Sequence, residues 1–331
     1  MKIIKDLGLR IFDIDARRLR PKNFYQGIVD YRKKILPKHR HLVKKPEEYT
    51  CTLCNRAKGL LFLEWMEGYQ LYECDWCGAV SPNIDRSNEE SHIESVYENE
   101  DYRKKFMRET HDQFDYRKRQ FGMERYQYSI DRLNLPKDAR VLDVGCGAGY
   151  YLSVLADKGV DYKGLEVVDH LVEYCQAYQK LNVESSRLED EPDGRYDLIT
   201  MFDVLEHLSD PVCLMNTVKA KLKKDGCCIA YTPNIHSIGF ELMGSRQNGL
   251  LPFEHFCFFN LKSFDYLSNE TGLAIHSVET YGLDLMDYLL MKEYEDGVDY
   301  IDGLGEMMNL LQAVLDKYNI SNHFRITFQK K

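Results

Sequence analysis

The spacing of hydrophobic positions changes character near residue 136. Upstream, Phe114, Phe121, Tyr128 and Leu135 recur at a helical interval inside a charged, aromatic stretch running from about Glu89 to Asn134, and Pro136 ends it. Downstream, short apolar runs alternate with amphipathic stretches. Strands are predicted at Arg140–Val144, Tyr162–Val167, near Val183, Tyr196–Phe202, Cys227–Thr232, Leu273–Thr280 and His323–Phe328. Helices are predicted after the first strand to about Lys158, over Asp169–Lys180, from Asp210-Pro211 to Lys224, and near Leu261–Glu270. Asp225-Gly226 reads as a turn, and residues 284–318 as a helical insertion before the last strand. Strands joined by helices of this length imply right-handed crossovers and a mainly parallel sheet.

Two CxxC pairs interrupt the upstream half. Cys51-x2-Cys54 and Cys74-x2-Cys77 are 19 residues apart, and each pair can close a knuckle around one metal, so that together they form a tetrahedral thiolate site for structural zinc. Gly78 suits the turn after the second pair, and Leu60–Leu71 supplies a hairpin between them. The other cysteines (146, 175, 213, 227, 228 and 257) lack ligand spacing and are read as small apolar fillers. The chain divides into a basic segment (1–48), a zinc ribbon (49–85), a helical linker or cap (86–136) and a catalytic domain (137–331).

Composition narrows the class. With 331 residues, 44% hydrophobic and 29% charged, the chain suits a soluble globular protein. No apolar run approaches the ~20 residues of a membrane span, and Met1–Asp6 lacks the apolar stretch of a secretory signal. A cytoplasmic location with reduced thiols is expected. The net charge of −9 divides into +8 for residues 1–48 and −17 for the rest. An acidic body repels a phosphate backbone, so a nucleic-acid partner is not expected. The basic segment reads as a solvated arm or as a contact for an acidic partner.

Asp143-Val144-Gly145-Cys146-Gly147-Ala148-Gly149 follows the first strand and precedes a helix. A dinucleotide loop would place glycine at Tyr150. Glycines at every second position, led by an acid, suit the methionine and ribose of S-adenosylmethionine (SAM) better than a pyrophosphate. Asp143 would hold the loop or receive the ligand's ammonium. Glu166, 23 residues on, can accept both ribose hydroxyls.

Val141–Gly149 resembles motif I of class I SAM-dependent methyltransferases. Tyr196–Ile199 through Val204-Leu205-Glu206-His207-Leu208-Ser209-Asp210-Pro211 is similar to the small-molecule branch that includes ubiquinone-biosynthesis O-methyltransferases, as are Thr232-Pro233-Asn234 and Pro252-Phe253-Glu254-His255. The resemblance runs from about Arg117 to the C-terminus. The tail, Asn309–Gln312 to Phe324–Ile326, is similar to methyltransferases of surface-polysaccharide biosynthesis. It implies an α/β, Rossmann-like, seven-stranded, mostly parallel sheet with an antiparallel last strand. Carried over by position, Gly145, Cys146, Gly147 and Gly149 would line the methionine moiety. Glu166 with Val167 would bind the ribose, Leu188 and Glu189 would border the adenine, and Phe202 and Asp203 would lie beside the sulfonium.

Methyl transfer needs in-line positioning and a base for the acceptor's proton. The candidates are Asp203, Glu206, His207, Glu254 and His255. Asp203, Glu206 and His207 share one face if their segment is helical. With His255 they resemble the divalent-metal site of small-RNA 3′-end methyltransferases and of metal-dependent ubiquinone-pathway relatives. A metal site, a metal-free base at His207 or His255, and a purely structural role all stay open. No Asn/Asp-Pro-Pro-Tyr/Phe motif for base amines and no Pro-Cys nucleophile is present. A small-molecule hydroxyl is the expected acceptor, and the resemblance favours a sugar or nucleotide sugar. The alternatives are an RNA methyltransferase using the ribbon and basic arm, a sugar C-methyltransferase, and a non-enzymatic SAM-binding protein.

Overall fold

Alternate residues of the central strands enter two different apolar cores, which explains why these strands read as continuous apolar runs rather than as alternating patterns. In the computed structural model, which describes residues 8–65, 68–86, 110–136 and 138–331, Leu142, Ile199, Met201, Cys228, Ala230 and Ile326 pack on one face. Val141, Leu198, Phe202, Ile229 and Tyr231 pack on the other. These residues belong to a seven-stranded sheet made of β4 (Arg140–Val144), β5 (Asp161–Leu165), β6 (Val183–Glu184), β7 (Tyr196–Phe202), β8 (Leu222–Pro233), β9 (Ala274–Tyr281) and β10 (His323–Gln329). Their spatial order is β6-β5-β4-β7-β8-β10-β9. β5, β4, β7 and β8 pair in parallel, whereas β10 runs antiparallel to both β8 and β9. The strand order reverses at β4, so a crevice opens beyond its carboxyl end, where such folds bind ligands.

Two expectations need correction here. The helix opened by Asp210, whose side chain caps the amide of Cys213, ends at Lys221 rather than Lys224. β8 then begins at Leu222 and runs through Asp225-Gly226, so that pair is a bulge inside a strand and not a turn before one. Asp225 adopts φ 62° there, with its amide donated to the Lys330 carbonyl at 3.0 Å.

β1 (Gly59–Trp65), β2 (Tyr69–Cys74) and β3 (Val80–Pro82) form a separate antiparallel sheet. It carries the four spaced cysteines, and it is not an appendage. Cys51, Cys74 and Cys77 pack in the same apolar cluster as Leu142 and Ile199. Val80 exchanges both backbone hydrogen bonds with Phe258 (3.0 and 2.8 Å). Of the helical stretch expected from Glu89, residues 87–109 lie outside the described residues. Residues 110–133 are helical, with wide turns at Lys118–Gly122 and Gln127–Asp131.

The basic N-terminal segment is not a solvated arm. Residues 284–306 carry eight Asp/Glu against one Lys, and their helices, Asp284–Asp296 and Tyr300–Leu304, receive the segment's cations. Arg17 donates to Glu293 (2.6 and 2.8 Å), to Asp299 (2.5 Å) and to Asp302 (3.2 Å). Arg20 pairs with the buried Asp287. The helix Phe24–His39 continues over the top of the domain, and Arg32 donates to the carbonyls of Gln247 and Leu250 (2.5 and 3.0 Å). The acidic partner of this segment is therefore its own chain.

Candidate active site

The chain leaves β4 at Val144 and turns through Gly145, Gly147 and Gly149, at φ 68°, 55° and 79°. Such a path costs little only for glycine. The three glycines differ in what they face. A Cβ on Gly145 would strike Val204 at 2.7 Å and one on Gly149 would strike Leu181 at 2.5 Å, whereas one on Gly147 would meet nothing within 4 Å. Gly145 and Gly149 serve the protein's own packing. Gly147 faces open space. The amides of Gly145 and of the half-buried Cys146 donate to the Leu165 carbonyl (2.8 and 3.1 Å), which ties the loop to β5.

Glu166, at the end of β5, accepts from the amides of Gly147 (2.8 Å), Val167 (2.8 Å) and Val168 (3.0 Å). Burial raises its proton affinity and these amides oppose the rise. Beside it Val167 is left 62% exposed, an apolar side chain without a protein partner face. Asp143 is buried and accepts from the Thr200 hydroxyl at 2.6 Å. Burial pushes its carboxyl up to about 7. Phe202 lies under the Arg125 guanidinium at 4.3 Å. Leu188 is buried near the mouth of the crevice, while Glu189 is exposed.

A second set of groups meets beyond β7 and β8. Glu206, His207 and His255 place one ligand-type atom each within 4.8 Å of one another. His207 Nδ1 lies 3.0 Å from the Glu254 carbonyl and His255 Nδ1 lies 2.8 Å from the Gly249 carbonyl. A carbonyl only accepts, so both Nδ1 atoms carry protons and both Nε2 atoms keep their lone pairs. Burial lowers both imidazoles, His255 strongly. Glu206 is 1% exposed and accepts from Thr232 Oγ1 at 3.0 Å. Burial drives its proton affinity well up.

Asp203 is not one of that group. The expected shared helical face does not form, because Asp203 adopts φ 61° and only a short turn, Leu205–His207, follows. Its exposed carboxylate lies 3.5 Å from Arg125 and 3.5 Å from His323 instead. Glu254 turns away from the histidines, and its carboxylate accepts from the Tyr31 hydroxyl.

Residues 115–278 match the family model described as a methyltransferase domain. They are a class I SAM-dependent methyltransferase domain. Curated relatives include the ubiquinone biosynthesis O-methyltransferases of Vibrio parahaemolyticus, 29% identical over 37% of this chain and 57% of that protein, and of Haemophilus ducreyi, 30% identical over 33% and 52%. The chain spans about half the length of these relatives. The crystal structure of a SAM dependent methyltransferase from Archaeoglobus fulgidus aligns over 62% of this chain and 94% of its own, with 20% identity and a TM-score of 0.42.

The ribbon touches the methyltransferase domain at the strand that bears His255. Besides the Val80–Phe258 bridge, Thr52 Oγ1 donates to the Phe256 carbonyl (2.7 Å) and Asn260 donates to the Gly78 carbonyl (2.6 Å). From the other side, the amides of Phe256 and Cys257 donate to the Glu206 carbonyl (2.7 and 3.1 Å). Phe253, fully buried at φ 64°, is a bulky residue in a conformation that β-carbons resist. Its ring packs on Tyr69 of β2, 5.2 Å between centroids. The ribbon thus holds a strained segment in place beside the histidine pair.

In the ribbon, Cys51 faces Cys77 and Cys54 faces Cys74, each at 3.5 Å between sulfurs. The residues after the second cysteine of each pair, Asn55 and Gly78, both take positive φ (57° and 77°). Both knuckles then close identically: Asn55 donates to the Cys51 carbonyl and Gly78 to the Cys74 carbonyl, each at 3.0 Å. The four sulfurs can hold one tetrahedral ion. Of the remaining cysteines, Cys175, Cys227, Cys228 and Cys257 are buried as fillers, but Cys213 is exposed on the first turn of its helix.

Arg125 and Tyr31 escaped the sequence reading. Neither lies near a motif, and each reaches the methyltransferase domain from an element upstream of it. Among the described residues no helix is long and apolar enough to cross a membrane.

Proposed function

We propose that this chain transfers a methyl group from SAM to a hydroxyl oxygen of a small molecule, a sugar or nucleotide sugar being the preferred acceptor. The observation that carries the reading is the crevice in which the bare face of Gly147 lies between a buried Asp143 and an amide-oriented Glu166. In this reading Asp143 receives the ammonium of the donor, and Glu166, with two oxygens already oriented, accepts from the ribose. Val167 and Leu188 cover the flat faces of the nucleoside, with Glu189 at the rim. The choice of oxygen follows the curated relatives, which are named O-methyltransferases. The preference for a sugar rests on the resemblance of the C-terminal tail.

The residues present fit two metal ions of different kinds. Cys51, Cys54, Cys74 and Cys77 suit a structural zinc. Glu206, His207 and His255 suit a divalent ion such as Mg, Mn or Zn, because two neutral imidazoles with fixed tautomers converge on a carboxylate that has no cation of its own. Such an ion supplies a Lewis-acid contact that orients a hydroxyl and makes it more acidic. Holding those three side chains in register is the task of the Glu254, Gly249 and Glu206 carbonyls.

The RNA reading loses its main support, since Arg17, Arg20 and Arg32 are engaged within the chain. A filter-binding assay at low salt checks it.

Calorimetric titration with SAM, followed by methyl transfer to a panel of nucleotide sugars and dihydroxyphenols, tests the proposal. Gly147→Val is expected to leave the fold intact while weakening SAM at least about tenfold, because a branched side chain there enters open space rather than protein. Equal SAM affinity in this variant refutes the placement. SAM affinity also depends on pH. Asp143 titrates at about 7 in the free protein, and only its ionised form attracts an ammonium. Affinity should therefore fall about tenfold from pH 8 to pH 6. The same raised value makes the ionised form cost stability, so without ligand the fold should lose stability as pH climbs from about 4 to 7. Asp143→Asn should flatten the affinity profile. An unaltered slope in that variant means another group is responsible.

A further inference from the structure

The antiparallel course of β10 brings its first residue, His323, to the edge of the sheet where the parallel strands end. His323 pairs in register with Pro233, at the end of β8, and with Tyr281, at the end of β9. Its ring meets Asp203, the residue directly after β7, with Nε2 3.5 Å from Oδ1. Val204, the next residue, is the one that a Cβ on Gly145 would strike, so this corner borders the glycine loop.

The orientation of the imidazole is over-determined. Nδ1 lies 3.0 Å from Asn322 Oδ1. The same oxygen accepts from the Leu283 amide (3.2 Å), and Asn322 Nδ2 donates to Asp287 (3.2 Å), so the amide cannot be turned round. Asn322 therefore presents an acceptor, and Nδ1 must carry the proton. Nε2 is left with a lone pair facing the Asp203 carboxylate. Two acceptors at that separation have no proton to share. A hydroxyl donated into the gap would satisfy either, and the carboxylate would stabilise the imidazolium once it formed.

We propose that His323 Nε2 takes the proton of the acceptor hydroxyl during methyl transfer, with Asn322 and Asp287 as positioning residues. This rests on the methyltransferase reading above. The O–H bond breaks toward Nε2 while the oxygen forms a bond to the methyl carbon. The carbon–sulfur bond breaks with its electron pair left on sulfur, giving a neutral thioether, and the imidazolium then releases its proton to water. Charge and atoms balance without a further reactant. His323 keeps 32% of its side chain exposed, whereas His255 is 5% exposed and clustered with Glu206 and His207. An acceptor can reach His323.

The charged groups around the ring match this cycle. Asp203 follows β7, Asp287 lies on the helix Asp284–Asp296, Arg20 comes from the N-terminal segment, and Arg125 from the helix over 110–133. His255 also acts on it across the site. Burial and the two arginines keep the ring unprotonated at neutral pH, and the two aspartates favour the proton it gains.

The test compares wild type with His323→Asn and His323→Gln on the dihydroxyphenol or nucleotide sugar that wild type methylates, following release of the demethylated donor. Expected are a kcat lower by about 10²–10⁴-fold, an unchanged Kd for SAM, loss of the acidic limb of the kcat–pH profile, and partial rescue by added imidazole. Wild-type kcat with the acidic limb retained overturns the assignment. A second measurement needs no acceptor: long-range 1H–15N spectra should show His323 protonated on Nδ1, and protonation on Nε2 overturns the assignment. If wild type neither binds SAM nor transfers methyl groups, the methyltransferase reading fails first and this one with it. Intact SAM binding and turnover with an indifferent His323 sinks only this one.

Discussion

Replacing Cys77 by serine is expected to abolish methyl transfer although the residue lies outside the proposed reaction site. A tetrahedral thiolate site contributes about 10–16 kcal/mol of apparent binding free energy in small zinc-folded peptides at neutral pH. The ribbon sheet has three short strands, and its cluster of buried residues is shared with the main domain rather than its own. Without the ion the knuckles lose their closure, and with them go the Val80–Phe258 bridge, the Thr52 bond to the Phe256 carbonyl and the Tyr69 face against Phe253. Phe253 then has no reason to stay at positive φ, and relaxation there moves Glu254 and His255. A displacement of about 1 Å at a reacting site costs roughly 10²-fold in rate. Metal analysis should find the ion absent, turnover should fall by at least about 10²-fold, and SAM affinity should change little, because Gly147, Glu166 and Asp143 sit on strands the ribbon does not touch. Full turnover with the ion gone would show the ribbon to be a separate module.

The second large effect is expected at the Glu206–His207–His255 cluster. His255→Ala and Glu206→Gln should each lower kcat/KM by about 10³-fold with SAM binding unchanged. They should also abolish saturable binding of Mn2+, read by calorimetry or by the loss of free-ion paramagnetic signal. The reason is the arrangement itself. A carboxylate 1% exposed beside two imidazoles whose Nδ1 protons are tied to carbonyls has only a cation left to neutralise it. Were the cluster structural, Glu206→Gln would be the milder change, since glutamine keeps the hydrogen bond from Thr232 and sheds a buried charge. A stabilised Glu206→Gln variant with normal turnover would therefore settle for the structural alternative. The pair of variants separates the cluster from His323, whose replacement should leave Mn2+ binding intact.

Much of this protein was legible before any coordinates, for reasons that are local. A thiolate knuckle needs its two cysteines within one turn, so Cys51/Cys54 and Cys74/Cys77 announce themselves by spacing. A glycine loop between strand and helix, with an acid at the end of the next strand, spans few residues, so Asp143, Gly147 and Glu166 could be named from sequence. The order of strands also follows from alternating runs, and the antiparallel last strand came with the resemblance. Local pattern misled where backbone geometry overrode it: the i, i+3, i+4 spacing of Asp203, Glu206 and His207 suggested one helical face, but Asp203 takes positive φ and points to Arg125 and His323.

What only the tertiary structure decided involves pairs far apart along the chain, where pattern carries no information. His207 and His255 meet because the Phe256 and Cys257 amides cross to the Glu206 carbonyl. Arg17 finds Glu293 across 276 positions, so a basic segment and an acidic insertion that each looked solvated neutralise one another. Composition gave the charges but not their partners, because attraction between exposed charges is as compatible with water as with any particular carboxylate until the fold holds the two together. The position of His323 stands between these cases: once the last strand is known to run backward, its first residue must lie at the ligand edge, yet the Asn322 and Asp287 contacts that set the ring's tautomer exist only in the folded chain.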